Sequence, residues 1–325
     1  MRLIFIGSTR FGLKCLEKVL PMPEIEVVGI ITNRPTFSIS YRPGGVQNVL
    51  YADFRPLAGR HGIPVRILEG SMNDPGLVAQ TREWRPDFML AVGWYHLLPR
   101  VLRDIAPAAG LHASLLPDYS GGAPLVWAII NDEKKTGITL FLLSDGVDNG
   151  PIIGQVEVPI HFEDTIATLY ERVEEAGLRL LEEHLPRVAR GEAAYTPQDE
   201  TRRRIMPQRS PGDGGIDWGW PARRIYNFVR AQTRPYPGAF TYWGKAKIII
   251  WKAGLRDSAM EGEGVAGEIV GDVGGVWGGA FAVRCGDTRV LWVQEVQCAE
   301  GAAMSGVEFL ATCKIGPKAR LGDAV

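Results

Sequence analysis

No CxxC pair occurs in this chain: its four cysteines, Cys15, Cys285, Cys298 and Cys313, are scattered. That scatter argues against a zinc ribbon, any other metal site and a disulfide framework, and leaves buried thiols as the reading. No apolar run approaches the roughly 20 residues that cross a bilayer, so no membrane partner is expected. Neither sign of charge dominates, since 36 Lys and Arg stand against 37 Asp and Glu. No overall field therefore draws the chain toward nucleic acid or an anionic surface. The opening MRLIFIGSTRFG lacks the longer apolar core and small-residue cleavage site of a secretory signal, which points to the cytoplasm. Its turn GSTRFG has Gly7 and Gly12 without the middle glycine of a dinucleotide fingerprint, and a tight turn into a helix accounts for both.

What is present is an ordinary globular composition, 46% hydrophobic and 22% charged over 325 residues, long enough for two domains. Arg2 to Gly7, a helical pattern from about Phe11 to Val19, and Glu26 to Thr32 read as a βαβ unit of a parallel sheet. Asn33 to Gly45 reads as a loop from its Pro, Gly and Ser content. FMLAVG is a buried central strand running into Trp94, Tyr95 and His96, the place where an open parallel sheet keeps its ligand crevice. A helix from about Pro124 to Asn131 precedes strands Gly137 to Leu143 and Pro151 to Ile160, and Ile166 to Val188 has the apolar spacing of one long amphipathic helix ending at Gly191. His184 on that helix is expected at the surface. The polar, Pro- and Gly-containing stretch 192–214 reads as a linker between an amino-terminal domain, 1–191, and a carboxyl-terminal one, 215–325. The latter opens with a helix, Pro221 to Ala231, and continues as short glycine-punctuated strands in the manner of a small five-stranded open β-barrel.

The chemistry concentrates between Gly110 and Gln155. A strand end carries His112, and the turn DGVDNG carries Asp148. A His and a carboxylate brought together by a hairpin are the usual parts of acid–base work, because the carboxylate fixes the tautomer of the imidazole. The Asp-Gly and Asn-Gly steps mark turns that need positive φ, so Asp148 is expected on a tight connection.

His112 to Pro117 (HASLLP), the following Gly-x-x-Pro…Trp and Asp148 to Ile153 (DNGPII) resemble the 10-formyltetrahydrofolate-dependent formyltransferases. IDW, VRAQTRPYPGAF and the glycine-rich strands resemble the carboxyl-terminal portion of the methionyl-tRNA formyltransferase and sugar N-formyltransferase branch. The resemblance covers nearly the whole chain. It implies a Rossmann-like α/β catalytic domain with a parallel-rich sheet, followed by an OB-like barrel, and 10-formyltetrahydrofolate as formyl donor. It also implies a catalytic pair, His112 and Asp148, and carries over Val92, Gly93, Trp94, Leu97, Asp145 and Gly146 as folate-binding residues.

The chain departs from the family's Asn-x-His at one point, because the residue two before His112 is Gly110. In the family the Asn amide and the His hold the oxyanion formed when an amine attacks the formyl carbon, and losing one such donor costs on the order of 100- to 1000-fold in turnover. Three readings stay open: another donor (Asn149, Ser114 or the backbone N–H at Gly110) replaces the amide, the enzyme is slow, or the site is retired to binding or formyl hydrolysis. The first is favoured, because the other parts of the constellation are in place.

For the amine acceptor, a nucleotide-linked amino sugar is the leading expectation. FSISYRPGGVQN lacks a dense Lys/Arg run, and RAQTRPYPGAFTYW supplies arginines and aromatics suited to a pyrophosphate and a ring. Initiator methionyl-tRNA is the alternative, supported by Arg202, Arg203 and Arg204. A homodimer through the second domain stays open for the sugar branch.

Overall fold

The structure is a computed structural model and describes residues 1–39, 42–255, 264–271, 278–298 and 301–322. The chain divides into two compact units. The first comprises Met1–Pro124, Lys135–Pro159 and Glu171–Met206; the second comprises Leu125–Lys134, Ile160–Tyr170 and Pro207–Val325.

The first unit is built on a seven-stranded sheet. Its spatial order is Ile152–Pro159, Lys135–Leu142, Ala108–His112, Phe88–Val92, Arg2–Gly7, Glu26–Thr32 and Val65–Ile67. The last five strands run parallel, and Lys135–Leu142 is antiparallel to both of its neighbours. Strands such as Arg2–Gly7 are buried at nearly every position because both faces are covered, which is why they read as continuous apolar runs. One face packs Ile4, Ile6, Ile31, Met89, Leu77 and Leu102 into a single cluster, each such side chain contributing roughly 1.5–3 kcal/mol of burial. The helix Arg10–Val19 starts at Thr9, whose Oγ1 accepts the Gly12 N–H at 3.1 Å. It is tied to the helix Ile166–Ala189 by the ion pairs Lys14–Glu174 and Lys18–Glu182. The chain crosses from strand Arg2–Gly7 toward the sheet's two edges on opposite sides, so the switch point falls beside Phe88–Val92.

Two sequence expectations are corrected in this unit. Asn33 to Gly45 is not a plain loop: Thr36–Ile39 and Arg42–Gln47 pair as an antiparallel hairpin. The Phe37 ring packs at 5.2 Å from Tyr95 and 5.5 Å from His96, a tertiary contact that outweighs the local Pro and Gly content. His184 is half-buried rather than at the surface, because its ring packs over Gly154, where a side chain would meet it.

The second unit carries an antiparallel sheet in the order Ala239–Trp243, Ala246–Leu255, Val290–Cys298, Phe281–Arg284 and Ile269–Gly271, with Ala303–Ser305 added beside Val290–Cys298. The helix Ala222–Gln232 joins this sheet in one core of Trp218, Ile225, Phe228, Val229, Ile250, Phe281 and Phe309. Trp218 satisfies its buried indole N–H on Thr241 Oγ1 at 3.0 Å. Of the glycine-punctuated strands expected from sequence, GEGVAGEIVGDV (262–273) lies partly outside the described residues. Among the described residues no helix is long and apolar enough to cross a membrane.

Candidate active site

The antiparallel pairing of Lys135–Leu142 with Ile152–Pro159 closes the hairpin whose turn carries Asp148, and Lys135–Leu142 also pairs with the strand that carries His112. The two side chains meet: His112 Nδ1 lies 3.5 Å from Asp148 Oδ2, and both are mostly shielded, with side-chain exposures of 12% and 22%. The other ring nitrogen, Nε2, is 2.8 Å from the Tyr119 carbonyl oxygen. A carbonyl only accepts, so Nε2 carries the hydrogen in this arrangement. Asp148 Oδ2 also accepts the Gly121 N–H at 2.8 Å. The positive φ that the turn demands falls on Asp148 itself, at 52°, and Tyr119 opposite it has φ 54°. Non-glycine residues persist there only where surroundings hold them, and such positions gather at functional sites.

Polar bonds fix the loop after His112. Ser114 Oγ donates to the Asp118 carbonyl at 2.7 Å, and Thr139 Oγ1 donates to the Ser114 carbonyl at 2.6 Å. Gln155 Nε2 donates to Leu116 O and Thr139 Oγ1.

The stretch 196–206, read from composition as linker, lies against this site. Ile205–Met206 pairs in parallel with Ser120–Gly121, Arg204 forms a two-pronged ion pair with Asp118, and the Arg204 guanidinium lies 4.6 Å over the Tyr119 ring. Gln198 Nε2 donates to the carbonyls of Asp148 and Gly150. Sequence reasoning singles out Arg204 only as part of a basic run that would favour a tRNA acceptor, and passes over Gln198, Ile205 and Met206, because polarity there has the same signature as a solvated connection.

The six folate-binding candidates divide into two groups. Val92 is buried at the end of its strand, and Gly93 takes φ 60° where any side chain would run into Thr9 Oγ1. Trp94 is half-buried, its indole N–H without a hydrogen-bond partner among the described residues, and Leu97 is 78% exposed. Asp145 and Gly146 lie on the Asp148 turn. Gly146 sits under the Asn149 side chain, whose Oδ1 accepts from Ser144 Oγ. Asp145 pairs with Arg103, whose hydrogen bond holds the carboxyl below the usual carboxylate range. Burial lowers the pKa of His96, as expected of a packed structural histidine.

A cleft of about 370 Å³ is lined by Arg100, Arg103, Asp104, Pro107, Ala108, Leu142, Leu143 and Asp145. Of the six candidates only Asp145 reaches it; Val92, Gly93, Trp94, Leu97 and Gly146 do not line it. Leu142 stands opposite Ala109, so the cleft opens at the start of the strand whose other end carries His112, about 13 Å away at the rise of an extended strand. The turn from Ser144 to Gly150 connects the two places.

Residues 3–185 match the family described as formyl transferase, and residues 209–314 match the formyl transferase C-terminal domain. Among solved structures the fold is similar to that of HypX from Aquifex aeolicus in complex with tetrahydrofolic acid, with TM-score 0.63 and 19% identity over 100% of this chain. The chain spans about half of that protein, 49% of its length. It is also similar to an N-formyltransferase from Helicobacter canadensis in complex with folinic acid and dTDP-3-aminofucose, with TM-score 0.59, 18% identity and coverage of 90% and 98% of the two chains. Methionyl-tRNA formyltransferase from Clostridium thermocellum aligns with TM-score 0.53 and 15% identity, covering 79% of this chain and 94% of that one. At these identities the structural likeness speaks for fold; the sequence match over more than half of the chain establishes that it belongs to the formyl transferase family.

Proposed function

We propose that the chain moves a formyl group from 10-formyltetrahydrofolate to a primary amine, and that the amine is carried on a nucleotide-linked sugar. The observation that carries the reading is the meeting of His112 and Asp148 on a backbone-held turn beside a cleft in the same unit. The cleft's chemistry fits a reduced pterin. Pro107, Ala108, Leu142 and Leu143 offer an apolar wall for a flat ring, and Asp145 with Arg103 offers a carboxylate and a guanidinium to its polar edge. The folate supplies the formyl carbon; the residues do the rest. Asp148 orients the His112 ring and accepts the proton that the attacking amine releases, and the same proton passes to the folate nitrogen as its bond to the formyl carbon breaks. His112 turns its Nε2–H from the Tyr119 carbonyl to the oxygen on which negative charge develops.

Asn149 is the donor that takes the place of the family Asn. Ser114 has spent its hydroxyl hydrogen on Asp118 O, and Gly110 lies inside the ladder between Ala91 and Phe141. Asn149 receives Ser144 on its oxygen, which leaves its N–H2 free to donate. The glycine-punctuated antiparallel sheet of the second unit supports an OB-like reading of that part. For the acceptor, the sugar reading rests on the absence of a Lys/Arg run in 37–48 and on the aminosugar complex of the Helicobacter canadensis relative. The test offers radiolabelled formyl donor with a panel of nucleotide-linked amino sugars and with methionyl-tRNA. Label is expected on an amino sugar and is expected to vanish in His112→Ala. Label on methionyl-tRNA alone would replace the acceptor, and unchanged transfer by His112→Ala would remove the mechanism.

A further inference from the structure

We propose that Gln198 is the positioning residue of the catalytic turn, and that the strap 196–206 sets where the Asp148 carboxylate stands relative to His112. The proposal rests on the formyl-transfer reading above and adds a residue outside its motifs.

Asp148 occupies left-handed backbone at φ 52° with no glycine to ease it, so the turn needs an external hold. The Gln198 amide supplies one. Its single nitrogen donates to Asp148 O at 2.8 Å and to Gly150 O at 2.7 Å, using both N–H groups on carbonyls two residues apart. A side chain bonded in this way fixes the intervening peptides at Asn149, the residue proposed above as oxyanion donor.

The strap is itself anchored at both ends. Thr196 and Ile152 exchange two backbone hydrogen bonds at 2.8 Å, and Ile152 begins the strand that leaves the turn. Farther on, Ser120 N–H donates to Arg204 O and Gly122 N–H to Met206 O, flanking Gly121, whose own N–H holds the Asp148 carboxylate. The strap thus grips Asp148 twice, through Gln198 at the backbone and through Gly121 at the side chain. Among the described residues Gln198 Oε1 is buried with no hydrogen-bond partner. An apolar side chain would avoid that cost, so the amide is explained by what its nitrogen holds rather than by packing.

The experiment compares wild type with Gln198→Met, which matches length and volume but cannot donate, and with Gln198→Asn, which keeps the amide on a shorter stem. Turnover is expected to fall about 10- to 100-fold in Gln198→Met, the usual consequence of displacing a catalytic group by a fraction of an ångström to one ångström, with KM for folate changed less than about twofold. In an Asp148→Asn background the same substitution is expected to cost almost nothing more, since both act through one carboxylate. Full additivity of the two losses, or turnover within about twofold of wild type in both Gln198 variants, overturns the proposal. A readout independent of activity separates this result from failure of the formyl-transfer reading: the nitrogen resonance of His112 Nδ1 is expected to move in folded Gln198→Met, and an unmoved resonance also overturns it.

Discussion

Asp132 and Asp148 have the same backbone problem and opposite surroundings. Each ends a turn in left-handed conformation, at φ 57° and 52°. Asp132, in the second unit, is saturated: its Oδ1 accepts from Arg223 Nη2 at 2.7 Å, Arg223 Nε at 3.0 Å and Asn227 Nδ2 at 2.9 Å, while Oδ2 accepts from Lys134 at 3.1 Å. Burial pushes its carboxyl upward, yet the bonds from Asn227, Arg223 and Lys134 win and hold it at about 2. Asp148 has one backbone N–H and one imidazole, both on Oδ2, and its Oδ1 takes no hydrogen bond among the described residues. An acid matched by permanent cations is an anchor; an acid left with a free oxygen keeps acceptor capacity to spare.

The comparison breaks most visibly if the two residues are exchanged in role. Asp148→Asn keeps the turn's size and is expected to lower turnover on the order of 100- to 10,000-fold while the melting temperature stays nearly fixed. Steady-state kinetics beside calorimetry reads both. Asp132→Ala is expected to do the reverse: Arg223 and Asn227 lose their acceptor, folding stability drops by roughly 1–2 kcal/mol, and turnover below the melting range is unchanged. Equal losses of activity in both variants would erase the distinction.

Acid sharpens the same contrast on a smaller scale. The folded Asp132 carboxyl lies below its unfolded value near 4, so its contribution is present above about pH 4 and is lost as pH falls toward about 2. With 39% of the side chain exposed, solvent screening reduces that contribution to roughly 1 kcal/mol. Urea midpoints of wild type and Asp132→Asn are expected to converge across that window. A gap that persists at pH 2 would show that the anchor is not ionic.

Much of the first unit is legible in sequence because its elements are periodic and apolar. Phe88–Val92 and Ile166–Ala189 fall where their patterns place them, and the Asp-Gly and Asn-Gly steps locate the turn of Asp148. The positive φ of that turn stands on the aspartate rather than on a neighbouring glycine, held by Gln198 and Gly121, which are distant in sequence. Polar residues that bond to backbone carbonyls have no period, and so Gln198 and Arg204 resemble any solvated stretch. The 36–47 hairpin was hidden for a related reason: its Pro and Gly content is that of a loop, and Phe37 finds its partners, Tyr95 and His96, only in three dimensions. Leu97, carried over by motif position, stands 78% exposed.

The smallest effect expected is also the one that bears most directly on the missing family residue. Gly110 and His112 share a face of their strand, and a Cβ built at 110 meets Leu143 Cδ2 at 3.1 Å, with Ala91 O and Phe141 Cε1 at 3.6 Å. The nearest atom is the end of a leucine side chain, which can turn aside, and removing glycine from a strand interior regains roughly 0.5–1 kcal/mol. Gly110→Asn is therefore expected to fold with near-native stability. If Asn149 already supplies the oxyanion donor, the restored family Asn changes wild-type turnover by less than about threefold but recovers about tenfold or more in an Asn149→Ala background. A rise on the order of 100-fold in the wild type instead would show that Asp148 and His112 act without a partner amide, and that the turn's spare oxygen sits in a site still short of one donor.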